Sequence, residues 1–277
     1  MIKNILVSQD GSAFSESALR YSLWLAEKFD ATLTGIHVVD SVALEGSFLH
    51  DISGSMGFEP FLDFSSKMRS YLEDNGKAIL KTFLERAEEA GVKAHKTLSF
   101  GVVSGEICES AKLADLVVMG RRGINAEFEY SLMGSVTESV VRRSSKPVFI
   151  VPETFVEPRS PVLAFDGSVN SSKAMHSAAE FSKAFSMPLT VLTVASETKG
   201  VEILRGAEEY IEPYGIKADF VHIDGDSHID IVKYCAEKKH DLVFMGSSHH
   251  SRVVELVLGS TTEYVMRKVE APFFLER

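Results

Sequence analysis

Three short stretches in the first half of the chain combine residue types suited to holding an anion. Asp10 leads Asp10-Gly11-Ser12, and Val38-Val39-Asp40 ends an apolar run. Met119-Gly120-Arg121-Arg122-Gly123 precedes Gly134-Ser135-Val136-Thr137, which opens an amphipathic segment. Glycines let backbone come close to a phosphate, and a helix start presents unpaired N–H groups with a favourable dipole. Ser135 and Thr137 add hydroxyl donors, while Arg121 and Arg122 bring positive charge to a chain of net charge −10. Asp10 stands where an acidic residue accepts hydrogen bonds from ribose hydroxyls in other α/β sites. Gly120 and Gly123 could instead serve only a tight turn, with Ser135 a plain helix cap. Strand end, glycines, arginines and Gly-Ser together favour the phosphate site.

The second half carries a weaker version of the same set, because the chain repeats itself. Residues 8–38 align without gaps on 164–194, with Asp-Gly-Ser at 10–12 and 166–168. Ala114-Asp-Leu-Val-Val-Met-Gly matches His240-Asp-Leu-Val-Phe-Met-Gly, and Met133-Gly-Ser matches Leu258-Gly-Ser. Asp166, Val194, Gly246, Gly259, Ser260 and Thr261 form the second candidate set. Between the two matched blocks the first copy holds about 30 extra residues, read from the shift in alignment. They fall in 40–70, a Gly-, Ser- and Phe-rich stretch read as an inserted loop beside the first site. A boundary near 153–160, with two prolines and several charges, separates domains 1–155 and 156–277.

Each copy alternates short apolar runs with helical patterns. In the first, Ile5–Ser8 is a strand, Ser12 or Ser15 caps a helix, and Ala18, Ser22, Leu25 and Phe29 share its inner face. Thr32–Val39 is a second strand, and Gly76–Ala90 a helix closed by Gly91. Val92–Phe100, Leu116–Met119 and Val148–Val151 are further strands, with helices over Ser104–Ala114 and Gly134–Arg143. Such alternation implies right-handed βαβ units and parallel sheets covered on both faces. The fold expected is α/β, two tandem doubly wound five-stranded parallel-sheet domains. Ligands bind such sheets beyond the carboxyl ends of the strands, where the three stretches converge.

Composition narrows the partners. At 277 residues, 45% hydrophobic and 25% charged, the chain suits about two globular domains. Its acidic balance argues against duplex nucleic acid, which needs a basic face. No run approaches the ~18 apolar residues of a membrane helix, and the first residues lack a signal-peptide pattern. Cys108 and Cys235 stand alone in helical segments, as idle thiols of a reducing cytoplasm. His249-His250 has no Cys, Glu or His partner at zinc-like spacing, so no metal site is assigned. Asp226 or Ser227 is expected to cap a helix, leaving His228 close to the 249–250 loop. Walker A, dinucleotide G-x-G-x-x-G, G-x-S-x-G, H-E-x-x-H and C-x-x-C patterns are absent, as is the acidic cluster of a receiver domain.

Gly120-x-x-Gly123, ten residues, then Gly134-Ser135 resembles the nucleotide-binding pattern of the universal stress protein family. Asp-Gly-Ser after the first strand and the final Pro147-Val-Phe-Ile-Val fit the same pattern, over essentially the whole chain. The resemblance implies a Rossmann-like, adenine-nucleotide α-hydrolase-like fold and a cytoplasmic protein binding ATP or AMP, with or without Mg. Asp10 would meet ribose and the Val38 backbone adenine. Met119, Gly120, Gly123, Gly134, Ser135 and Val136 would meet phosphates, with Arg122 beside them. The family spacing is nine, so Ile124–Met133 is one residue long. The second copy has nine, but His249 replaces its second glycine, where a side chain would press on the phosphates. Nucleotide is therefore expected in the first copy and a degenerate site in the second.

Family domains often pair through their last strand, so two linked copies imply an intrachain pseudo-dimer or a homodimer. The leading function is a regulatory or stress-protective nucleotide binder without efficient catalysis. A slow ATPase of the wider adenine-nucleotide group and a ligand-free dimerisation scaffold stand beside it.

Overall fold

A computed structural model describes residues 2–40, 61–124, 126, 133–247 and 258–277, with backbone alone for 61–66. The first half runs β1 (Asn4–Ser8), α1 (Ala13–Phe29), β2 (Thr32–Asp40), α2 (Phe61–Glu89) and β3 (Ala94–Gly101). It continues with α3 (Val103–Ala111), β4 (Leu116–Gly120), α4 (Ser135–Arg143) and β5 (Val148–Val151). The second half runs β6 (Pro161–Ala164), α5 (Val169–Phe185), β7 (Leu189–Val194), α6 (Glu197–Ile211) and β8 (Ala218–Ile223). It ends with α7 (Ser227–Lys238), β9 (Leu242–Gly246), α8 (Ser260–Lys268) and β10 (Phe273–Glu276).

Repetition in sequence reappears as repetition in local chemistry. Helices α1 and α5 are both 17 residues long. Ser12 and Ser168 cap them by accepting from the N–H groups of Ser15 and Ser171, and left-handed Asp30 and Ser186 end them. A serine cap satisfies an N–H that the helix itself leaves unpaired. Helices α4 and α8, nine residues each, both begin after a glycine that offers no side-chain cap.

The ten strands lie in one sheet of order β3-β2-β1-β4-β5-β10-β9-β6-β7-β8. Within each half all pairs are parallel, as the βαβ reading requires. At the centre β5 and β10 pair antiparallel, Phe274 opposite Phe149, so the two half-sheets become one. Each last strand thereby covers the edge that the other would expose to further strand pairing.

Alternation along the strands splits the core into two layers. Ile5, Val7, Leu116, Val118 and Phe149 face α1 and α2, with Phe244 and Phe274 continuing that layer beneath α5, which adds its own Phe181, and α6. Leu6, Val117, Met119, Val148 and Ile150 face α3 and α4, and Val243, Met245, Phe273 and Leu275 carry it beneath α7 and α8. Aromatic rings cross the midline. Phe274 lies 6.0 Å from Phe149 and 5.2 Å from Phe244, while Trp24 of α1 meets Phe185 of α5 at 4.1 Å. Such pairs add about 0.5–1.5 kcal/mol each beyond their buried area.

Three expectations are corrected. Residues 61–70 are not loop but the first turns of α2, which starts 15 residues before Gly76. Leu80, Phe83 and Ala87 anchor that helix in the core, and once nucleated it extends over residues without a strong apolar period. Gly76 sits inside the helix for a packing reason: a Cβ there would lie 2.5 Å from His37 Cδ2. The remainder of the 40–70 segment, 41–60, lies outside the described residues. Strand β3 begins at Ala94 rather than Val92, and α3 ends at Ala111 rather than Ala114. Gly91 closes α2 as expected, with φ of 69°.

Candidate functional site

At the carboxyl end of β1 the chain turns through Gly11, whose φ of 84° is left-handed. That turn brings the Asp10 carboxylate over the helix start. Its Oδ1 accepts from the Ser12 N–H at 2.9 Å and the Ser12 hydroxyl at 2.6 Å. Its Oδ2 accepts from the Ile124 N–H at 2.9 Å, latching the loop after β4 onto β1. Gly123 is needed for that approach, since a Cβ there would fall 2.6 Å from Asp10 Oδ2.

The β4–α4 connection is built from backbone. Gly120 ends β4 against α1, where a Cβ would stand 2.6 Å from Phe14 Cβ and 2.9 Å from the Arg122 carbonyl oxygen. Thr137 donates to the Gly120 carbonyl at 2.9 Å, and the Gly134 N–H donates to the Arg121 carbonyl at 2.9 Å. These bonds hold the first turn of α4 next to the strand end. Gly134 leaves that turn without a side-chain cap, so its N–H dipoles face the cleft.

Between these pieces lies a cavity of about 500 Å³. The residues expected to contact nucleotide line it: Asp10, Val38, Met119, Gly120, Arg122, Gly123, Gly134, Ser135 and Val136. Sequence reasoning missed Leu72 and Asn75, which reach the cavity from a turn of α2 between the 40–70 loop and the helix expected from Gly76. It also missed His37 and Val103. His37 has its Nδ1 2.7 Å from the Gln9 carbonyl oxygen, and Val103 opens α3. The β-period of 32–39 sets His37 on the face opposite Val38, toward α2, so strand alternation gave no signal for it. Arg122 is the cation among the described residues that line the cavity, and its guanidinium donates to the Ala126 carbonyl.

Arg121 does not join it. Alternation sends its side chain to the other side of the loop, where Nη2 donates to the Ala271 carbonyl at 2.8 Å. Its guanidinium lies over the Phe273 ring at 5.6 Å, and burial pushes its pKa down. The anion role expected of Arg121 is therefore replaced by a role at the junction of the two halves.

In the second half, Asp166, Val194, Gly246, Gly259, Ser260 and Thr261 stand at the corresponding strand ends and helix start. Asp166 accepts from the Ser168 N–H at 2.9 Å. Burial would raise its pKa, but hydrogen bonds from Ser168 and Ser171 outweigh it and hold the carboxyl below its ordinary value. Thr262 donates to the Gly246 carbonyl at 3.1 Å, repeating the Thr137 bond. The head of α8 differs from that of α4, for His228 Nε2 lies 3.2 Å from Ser260 Oγ and 3.5 Å from Thr261 Oγ1. Asp226 is the cap of α7, accepting from the N–H groups of His228 and Ile229. His249 and His250 lie outside the described residues. The cysteines are free, and burial pushes the Cys235 thiol up to about 12. Among the described residues no helix is long and apolar enough to cross a membrane, and no group of His, Cys, Asp and Glu is arranged for a metal.

Comparison with known proteins matches this architecture and its motifs. The family model described as universal stress protein family matches residues 1–152 and 196–275. A universal stress protein of Synechocystis sp. is 28% identical over 285 residues, covering 98% of each chain. A universal stress protein of Methanocaldococcus jannaschii is 35% identical over 153 residues, covering 54% of this chain and 82% of its own. The crystal structure of a universal stress protein from Archaeoglobus fulgidus superimposes with TM-score 0.79 at 24% identity, covering 99% of this chain and 98% of that one. Doubly wound halves, Asp-Gly-Ser turns and Gly-Ser helix starts thus occur here in a chain that belongs to the universal stress protein family.

Proposed function

We propose that the first domain, residues 1–155, binds an adenine nucleotide, ATP or AMP, in the 500 Å³ cavity. The observation that carries this reading is the convergence of Asp10, Val38, the Gly120–Gly123 loop and the open head of α4 on one cleft. Its volume falls within the range of small-ligand sites, roughly 300–1,000 Å³. The Val38 edge takes the base, Asp10 the ribose, and the N–H groups of Gly123, Ser135 and Val136, with Arg122, the phosphates. Mg can accompany the phosphates. Asp10 is held by the Ser12 and Ile124 N–H groups as a fixed acceptor for the ribose, which supports a regulatory or stress-protective role over efficient catalysis.

The second domain, 156–277, carries the altered site, where His228 crowds the helix start that phosphates would need. The protein acts in the cytoplasm, as a monomer whose halves pair through β5 and β10 or as a homodimer of such units. Mass spectrometry of nucleotide released from denatured protein, with its molar ratio, tests the reading. About one ATP or AMP per chain is expected. A ratio near two assigns binding to both domains, and none, with none on titration, refutes it. ATP turnover above that of a Gly134/Ser135 double variant would make it an enzyme.

A further inference from the structure

Three side chains of the second half stand in a chemical sequence that the first half lacks. Asp226 Oδ1 lies 3.4 Å from His228 Nδ1, and His228 Nε2 lies 3.2 Å from Ser260 Oγ. Nucleophile, base and a third group orienting the base are the diagnostic parts of an activated serine, with distances that tighten when substrate binds. Each part is positioned by the fold. Asp226 is pinned at the head of α7 by the N–H groups of His228 and Ile229, and Asp230 Oδ2 accepts its own N–H at 2.8 Å. The His228 ring packs edge-on against Tyr264, one turn beyond Ser260 on α8, with centroids 5.8 Å apart. Ser260 is exposed, and as the first residue of α8 it sits beside N–H groups that have no acceptor inside the helix. Those donors suit the oxyanion of an acyl-transfer intermediate.

The arrangement belongs to one copy. Helix α3 of the first half starts at Val103 as α7 starts at Ser227, so Val102 and Ser104 occupy the places of Asp226 and His228. Neither can serve as orienting acid or base.

We propose that Asp226, His228 and Ser260 form a triad that hydrolyses small carboxylic esters through an acyl-Ser260 intermediate. Ser260 Oγ attacks the ester carbonyl carbon and its proton passes to His228 Nε2. Asp226 holds the imidazole with Nδ1 protonated. The tetrahedral oxyanion rests on the α8 N–H groups, then collapses as the C–O bond to the alcohol breaks and His228 returns the proton to the departing oxygen. Water, deprotonated by His228, attacks the acyl carbon. Breakage of the ester bond to Ser260 releases the carboxylic acid, and His228 reprotonates Oγ. Ser260 and His228 are the catalytic residues, and Asp226 is a positioning residue.

The full chain is treated with a fluorophosphonate probe and, separately, with p-nitrophenyl acetate. The expected result is a label on the Ser260 peptide, with hydrolysis falling to the background of free imidazole in Ser260→Ala and by about 100-fold or more in His228→Gln. Circular dichroism and urea unfolding establish that both variants are folded. Asp226→Asn keeps an oxygen for the cap but removes the charge, so the pH at which the rate half-rises should move down. Hydrolysis unchanged in Ser260→Ala, or Ser260 labelling undiminished in His228→Gln, would overturn the proposal. So would the absence of label on Ser260.

Discussion

Alanine at position 123 would place a methyl group 2.6 Å from Asp10 Oδ2. A relaxed C···O contact is about 3.3 Å, so the carboxylate must retreat by about 0.7 Å or the loop must lift. Either movement strains the Ile124 N–H bond to Oδ2, while Oδ1 stays tied to Ser12. Hydrogen bonds to a charged group are worth about 1.5–3 kcal/mol, and the site is only partly buried, so Gly123→Ala should cost about 1–3 kcal/mol. Because the cost arises from one neighbour, Asp10→Ala should abolish most of it. In that background Gly123→Ala should cost less than about 0.5 kcal/mol, giving a coupling energy of about 0.5–3 kcal/mol. Urea unfolding of the two single variants, the double variant and the parent measures the cycle without any ligand. Costs that add to within about 0.5 kcal/mol would refute the latch between Asp10 and the β4–α4 loop.

Gly76→Ala should destabilise by about 1–3 kcal/mol, since its Cβ would lie 2.5 Å from His37 Cδ2 and 2.9 Å from Leu98 Cδ1; urea unfolding measures it, and a neutral change would refute the close approach of α2 to β2. Phe274→Ala, at the β5–β10 junction, should cost about 3–5 kcal/mol in the same assay. Exposed Leu113→Ala should stay within about 0.5 kcal/mol. Glu276 is buried at 8% exposure, and burial pushes its carboxyl up against the opposing bond from Ser177 and the charge of Lys173. A raised folded value means stability present below the ordinary 4.5 and lost as pH rises through the folded value. Glu276→Gln should therefore match the parent near pH 4 and exceed its stability increasingly above that, as urea midpoints across pH would show.

Sequence alone determined the features that depend on near neighbours. Period-two and 3.6-residue patterns placed β5 at 148–151 and α4 within one residue, and Ser12 was one of the two caps expected for α1. Backbone requirements were equally legible, because a glycine at 120 or 123 reports a close approach whatever the partner. The nine first-copy residues that line the cavity were reachable because parallel topology brings the carboxyl ends of β1, β2 and β4 to one edge.

Direction and distant company belonged to the tertiary structure. Arg121 and Arg122 are adjacent and alike, yet one donates to Ala271 in the other half and the other lines the cavity. Only the antiparallel joining of β10 to β5 puts that carbonyl within reach of Arg121. Leu72 and Asn75 entered the site because α2, nucleated by Leu80 and Phe83 in the core, continues past the point where its apolar pattern fades. His228 and Ser260 are 32 residues apart and meet because α7 and α8 pack side by side on one face of the sheet. Local pattern encodes which element forms, whereas the neighbour of a side chain is decided when burial of the apolar faces brings separate elements together.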